Sequence, residues 1–262
     1  MRCGVPSRRV RLLLWHLATD TIEAGQWFKG RMYERRCDLS PAGDRLVYFA
    51  ASFHQPLYSW TAISRPPYLT ALALLPKGDC WGGGGLFHTH GICASTTDPT
   101  RFSFPPASHY LAVSKSSPLA ITLVAARTPP IMSMRMIRDG WIHVPSDGEI
   151  EPLGRWSRYS WRFDPPLTIQ NSIDSRGDVL LRKHLHAIHE RQARCYVETA
   201  DLANQEGRTT FEFGRIDWMD LDHNGDTLYA KDGCLFRLAR PVSHHTRMLL
   251  MISVYLLSAH PA

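Results

Sequence analysis

Short apolar stretches alternate with breaks rich in Gly, Pro and Asp along most of this chain, a pattern that predicts many short β-strands. After Gly43 the segment RLVYFAAS is apolar on both faces, as expected for an inner strand that is covered on both sides. Two further apolar stretches follow, LYSWTAIS (57–64) and YLTALALL (68–75), and proline-containing breaks separate all three. The 18 Pro and 18 Gly of the 262-residue chain leave little room for long helices.

Two-residue turn signals predict hairpins in several places. The strongest is Asp232-Gly233, which lies between DTLYAK and CLFRLA. A second hairpin is predicted at Asp139-Gly140, between SMRMIR and WIHV. Near the N-terminus, VRLLLWHLATDTIEAGQWF predicts a strand, a polar turn at 19–21 and a returning strand.

One short motif occurs three times in the chain. The three copies are LSPAGDRLVY from Leu39, IDSRGDVLLR from Ile173 and LDHNGDTLYA from Leu221. Each copy has an aliphatic residue, then Ser or Asp, then Gly-Asp and a Leu that opens an apolar segment. The Ser or Asp is expected to bond the turn backbone, and the glycine to take a positive φ. The motif therefore predicts a tight turn that leads into a strand.

The spacing of these turns indicates a repeat architecture. Gly177 and Gly225 are 48 residues apart, and Gly43 precedes Gly177 by 134 residues, a little under three such steps. A period of roughly 40–50 residues is typical of four-stranded propeller blades, and the chain length then allows roughly five units. We therefore predict a single all-β domain over residues 1–262, a β-propeller-like array of antiparallel four-stranded blades that is incomplete or irregular in places.

The same segments resemble those of a known class of repeat proteins. LLLWHLATDT followed by CDLSPAGDRLVYFA resembles WD-repeat and Tol-type β-propellers, in which a Leu-Trp strand precedes a polar turn and a Ser-Pro-x-Gly turn opens the next blade. Residues 10–50 and 216–238 carry the likeness best, and 168–183 more weakly. Trp15 is followed by His16 where Asp is usual. WGGGG after the third strand also resembles bacterial propeller-like proteins of uncharacterised function. The resemblance implies an architecture and no activity.

Two stretches depart from the repeat pattern. Residues 88–136 are poor in acidic residues and lack the glycine turn, and residues 243–262 are also out of character. Each is interpreted as a divergent blade, an insertion, a poorly folded segment or the product of a shifted reading frame.

Charge and hydropathy narrow the choice of partners. The formal net charge is +6, and the densest basic groups are short: Arg8, Arg9 and Arg11, and then Arg31, Arg35 and Arg36. We interpret them as solvated faces, so nucleic-acid binding is disfavoured.

The best apolar run, 248–257, is far short of the roughly 20 residues that a membrane span needs. RRVRLLLWHLA makes a poor signal peptide, and a cytoplasmic location is predicted.

Cysteine and histidine residues form no recognisable metal motif. None of the six Cys forms a C-x-x-C pair, which favours free thiols in a reducing compartment. Three groups of residues are candidate zinc ligands: His88, His90 and Cys93 with Cys80; His184, His186 and His189; and His244 with His245. With 13 His in the chain, chance clustering is the favoured interpretation of all three groups.

The segment DLDHNGD (220–226) places oxygen side chains like those of a calcium loop. Asp220, Asp222 and Asn224 take positions 1, 3 and 5, but position 12 is Lys231 instead of Glu. The plain turn is therefore favoured over a cation site.

A glycine-rich segment, GDCWGGGGLF, resembles a phosphate cradle only superficially. A P-loop requires Gly-Lys-Ser/Thr and a helix, whereas Leu86-Phe87 follows here. We predict a turn where two backbones pack closely, and we expect a ligand that approaches the backbone to do so here.

The sequence leaves two main classes of function open. Hydrolase motifs such as G-x-S-x-G are lacking, and the carboxylate pairs Asp217 with Asp220 and Glu149 with Glu151 read as solvated acids. The favoured class is a non-catalytic binding or scaffolding propeller that holds an unidentified protein or small ligand. The alternative is a propeller enzyme, a hydrolase or lyase, whose His or acid side chains converge at the channel mouth. The sequence assigns no catalytic residue, metal ligand or cofactor.

Overall fold

The structure is a computed structural model of the chain. It describes residues 9–88, 91–95, 120–124, 131–147, 149–152, 161–173, 177–188, 196–239 and 248–253. The chain divides into two compact units. The N-terminal unit is Pro6–Asp139, and the C-terminal unit is Gly140–Ala262 together with Met1–Val5. The expectation of a single domain over residues 1–262 stays a prediction.

The described residues of the N-terminal unit form three small sheets and one short α-helix. The first sheet is the hairpin β1–β2. In the second sheet, β5, β6 and β7 pair in chain order, and β3 and β4 both pair with the edge of β5 that faces away from β6. Strands β8, β9 and β10 form the third sheet. The bounds are β1 (Val10–His16), β2 (Thr21–Phe28), β3 (Arg31–Met32), β4 (Asp38–Leu39), β5 (Leu46–Ala51), β6 (Ser59–Ser64), β7 (Ala71–Pro76), β8 (Gly85–His88), β9 (Gly91–Ser95), β10 (Ala120–Val124) and α1 (Ile131–Arg138), with a 3-10 turn at Glu34–Arg36.

Strand β5 is the centre of this unit, as its apolar sequence on both faces predicts. All six of its residues are buried. Val47 packs on one face with Ile63, Ala73 and Phe87, whereas Tyr48 packs on the other with Met32, Ala50 and Leu69. The Tyr48 hydroxyl donates to the Leu69 carbonyl oxygen at 2.7 Å, which satisfies the one polar atom of this side chain.

The predicted hairpin at Asp139-Gly140 is wrong, because residues 131–138 form helix α1 rather than a strand. Ile131 and Met136 are its buried residues. The Asp139 amide donates to the Arg135 carbonyl oxygen at 2.9 Å, and Gly140 follows with a φ of +84°. Asp-Gly therefore ends a helix here, since a left-handed glycine suits a helix C-terminus as well as a hairpin.

The C-terminal unit contains two larger antiparallel sheets. In the first sheet, strands β13 to β16 pair in chain order, and β11 and β12 both pair with β13. In the second sheet, strands β17 to β20 pair in chain order. The bounds are β11 (Ile142–Val144), β12 (Glu149–Pro152), β13 (Trp161–Ser172), β14 (Val179–Ile188), β15 (Tyr196–Asn204), β16 (Thr209–Ile216), β17 (Trp218–Leu221), β18 (Thr227–Lys231), β19 (Cys234–Leu238) and β20 (Met248–Ser253).

The core of the C-terminal unit lies between these two sheets. Leu181 and Leu202 are opposite each other in the β14–β15 register, and both are fully buried. The Phe213 ring of β16 lies 5.0 Å from the Tyr229 ring of β18. Lys183 reaches from β14 to the Met219 carbonyl oxygen of β17 at 3.1 Å. One face of the first sheet is thus used for packing.

The three repeated glycine turns have the geometry that the sequence predicts. Gly43, Gly177 and Gly225 have φ values of +72°, +75° and +79°, and strands β5, β14 and β18 follow them. Gly43 donates to the Ser40 carbonyl oxygen at 2.8 Å, and Gly225 donates to that of Asp222 at 2.9 Å. The repeat is therefore a structural one, and each copy joins two antiparallel strands.

The all-β prediction is confirmed: the described residues form several antiparallel sheets, and none of these sheets is closed. The atypical stretch 88–136 contributes β9, β10 and most of α1, and β9 pairs with β10 in parallel. Of the stretch 243–262, the structure describes only β20. No helix in the described ranges is long and apolar enough to span a membrane.

Candidate functional site

Polar side chains follow one face of the central strands β13, β14 and β15 in the C-terminal unit. Arg182 lies opposite Asp201, and His184 lies opposite Thr199 on β15 and Thr168 on β13. Leu181 and Leu202, which alternate with these residues, point to the core instead. Polar residues in the middle of a sheet are informative, because central strands more often bury apolar side chains.

Asp201 is the centre of this arrangement. It is 7% exposed, and its carboxylate accepts hydrogen bonds from Arg182 Nε at 2.8 Å, Arg182 Nη2, His184 Nε2 at 3.1 Å and Thr209 Oγ1 at 2.6 Å. Burial opposes its ionisation, yet hydrogen bonds from His184, Arg182 and Thr209 hold the pKa of Asp201 well below its usual range. Asp201 is therefore a carboxylate at neutral pH.

His184 is held at both ring nitrogens. Nε2 faces Asp201, and Nδ1 lies 2.8 Å from Thr168 Oγ1, which in turn donates to the Pro166 carbonyl oxygen at 3.2 Å. Contacts at both ring nitrogens fix the orientation of the imidazole between β13 and β15.

His186 lies two residues further along the same strand. Its Nε2 is 2.8 Å from Thr199 Oγ1, so one ring nitrogen is engaged with a neutral hydroxyl. Burial, and then the neighbouring His184, lower the pKa of His186. This imidazole is therefore neutral at neutral pH and gains a proton on acidification.

We call these residues the polar cluster: Thr168, Arg182, His184, His186, Thr199, Asp201 and Thr209. Sequence analysis singled out His184 and His186 but treated their proximity as chance, and it did not select the other five. The available signal was the period of two in RKHLHA, which places Arg182, His184 and His186 on one strand face. His189, the third member of that predicted group, lies outside the described residues.

Comparisons with family models, curated proteins and solved structures find no match. The site must therefore be interpreted from its own geometry.

The calcium-loop-like segment 220–226 is a turn in which the carboxylate oxygens of Asp222 accept hydrogen bonds from the protein itself. Asp222 Oδ1 accepts from the Asn224 and Asp226 amides, each at 2.8 Å. Its Oδ2 accepts from Arg237 Nη2 at 2.8 Å, and Arg237 Nε donates to Asp226 Oδ2 at 2.9 Å. A side-chain cation thus occupies the place where a metal ion would need these oxygens.

The glycine-rich segment folds around an arginine. Arg36 Nη1 donates to the carbonyl oxygens of Cys80, at 2.8 Å, and Gly82. Gly83 has a φ of +81°, and a Cβ there would lie 2.4 Å from the Phe49 ring. A Cβ on Gly84 would clash with the Arg36 carbonyl oxygen, so the predicted close packing of two backbones is confirmed at this position. Because carbonyl oxygens point at a guanidinium, the segment is not arranged to hold a phosphate.

The remaining histidine and acid candidates are not brought together by the described residues. His90, His244 and His245 lie outside them, as do the side chains of His88, Cys93, Glu149 and Glu151. Asp220 Oδ1 accepts from the neighbouring Leu221 amide at 3.0 Å, a local turn contact. No set of three or more His, Cys, Asp or Glu side chains has metal-binding geometry within the described part of the chain.

The second basic group is integrated into the N-terminal unit. The guanidinium groups of Arg31 and Arg36 both lie over the Tyr33 ring, at 4.6 and 4.8 Å from its centroid. Arg35 contacts Met132 Sδ of helix α1 at 3.1 Å. Arg8 lies outside the described residues. At least Arg36 therefore has a packing role rather than that of a solvated charge.

Proposed function

We propose that this chain is a non-catalytic binding protein whose repeated antiparallel sheets form a propeller-like array, and that the polar cluster holds its ligand. The observation that carries the proposal is the half-buried row of Arg182, His184 and His186 on a central strand, opposite Asp201 and Thr199. A binding site needs a few polar groups fixed on a rigid scaffold, and three paired strands provide that scaffold.

The array part of the proposal is supported by recurring local geometry. β13–β16 and β17–β20 follow each other in the chain, and each contains four antiparallel strands paired in order. The glycine turn lies between the first and second strands of both sets. A comparable turn joins β4 to β5 in the N-terminal unit. Consecutive four-stranded meanders with a common turn are what propeller blades require.

Binding is favoured over catalysis by the contacts of His184. A general base needs a ring nitrogen that faces the group it activates. Here both ring nitrogens contact protein groups, Thr168 Oγ1 and the Asp201 carboxylate. Arg182 and Thr209 further fix Asp201, so the network stabilises one arrangement rather than moving a proton.

A hydrolase is the second candidate, and one observation favours it. Thr168 Oγ1, the His184 ring and the Asp201 carboxylate form a continuous series of hydroxyl, imidazole and carboxylate, with separations of 2.8 and 3.1 Å. The same series activates a nucleophile in many acyl-transfer enzymes. Hydrolysis of p-nitrophenyl acetate tests it: a rate that falls to background in Thr168→Val but not in Thr209→Val would support the hydrolase.

The binding proposal is tested by NMR of the histidine rings. The chain is labelled at histidine and titrated separately with sulfate, acetate, glucose and adenosine. We expect at least one probe to shift the His184 and His186 signals and to leave His143, an exposed residue on β11, unchanged. Signals that none of the four probes moves, together with Thr168-dependent ester hydrolysis, would overturn the proposal in favour of the enzyme.

A further inference from the structure

We draw no further inference here: the strongest candidate, the exposed aromatic side chains of Phe53 and Trp81 on the loops that follow β5 and β7 at one end of the same sheet, carries no proposal because nothing in the structure shows what covers them.

Discussion

Arg182 donates to Asp201 from both Nε and Nη2 across the β14–β15 register, and the same guanidinium also donates to Thr209 Oγ1 at 2.9 Å. The planar fork of arginine suits a two-pronged contact with a carboxylate, whereas a lysine can offer only a point charge. This pair is the fixed element of the polar cluster, and the histidines are arranged around it.

Removing the charge of Asp201 should strongly destabilise the C-terminal unit. In Asp201→Asn, the half-buried Arg182 loses its opposite charge, and an NH2 group replaces one of the two acceptor oxygens, so we expect a loss of about 3 kcal/mol in the free energy of unfolding. Urea denaturation measures it. Asp44→Asn is the control, because the Asp44 side chain is 60% exposed beside Arg45 and should cost less than about 0.5 kcal/mol. Equal effects of the two substitutions would contradict the role given to Asp201.

The stability of the C-terminal unit should fall on acidification through the ordinary pKa of histidine. The pKa of His186 is lowered in the folded state, so the unfolded chain takes up a proton first as the pH falls below about 6.5. This contribution is present above that pH and is lost below it. Thermal unfolding at pH 7.5 and 5.5 should therefore show a smaller loss in His186→Gln than in the unmodified chain. An identical loss would exclude His186 as a source of the acid sensitivity.

Two glycines with similar φ values should respond differently to alanine. Gly43 has no atom within 4 Å of the position that a Cβ would take, so Gly43→Ala should cost only the left-handed penalty of about 1 kcal/mol. A Cβ at Gly83 would also meet the Phe49 ring, and we expect a total of about 3 kcal/mol. Urea denaturation of the two variants measures the difference. Comparable losses would indicate that Phe49 moves aside without cost.

Cys37 should resist alkylation in the folded protein. Its thiol packs against the Met32 and Tyr48 cluster and donates to the Tyr33 carbonyl oxygen at 3.2 Å. Burial raises the pKa of Cys37 to about 12, so the reactive thiolate is rare at pH 8. Mass spectrometry after iodoacetamide treatment should find Cys37 unmodified in buffer and modified in urea. Modification at equal rates in both would contradict the burial of this thiol.

Local turn chemistry allowed much of the fold to be predicted from the sequence. Each correctly predicted turn depends on a residue type that tolerates a left-handed backbone. These turns are those at Gly43 and Gly225 and the Asp232-Gly233 hairpin, in which φ is +51° and +80°. The same chemistry misled at Asp139-Gly140, because a glycine in that conformation ends a helix as readily as it makes a hairpin. Helix α1 is a tertiary outcome, fixed by Arg138, which donates to Asp38.

The polar cluster was harder to predict, because it depends on strand register. Thr168, His184 and Asp201 are separated by 16 and 17 residues in sequence and meet only when β13, β14 and β15 pair as they do. The Gly177 motif predicts that a turn joins β13 to β14, but the sequence does not specify which residues of the three strands then pair. A one-residue shift of β15 would have turned Asp201 toward the core.

The boundary between the two units falls immediately after helix α1, at Asp139 and Gly140. Arg138 donates to Asp38 Oδ2 and to the Phe87 carbonyl oxygen. These hydrogen bonds hold the last turn of α1 on the N-terminal unit, so the helix does not need the chain that follows it to stay in place. A gene divided between codons 139 and 140 would keep every strand pair described here within one of its two products, so this junction is the natural place to separate the two units for independent expression.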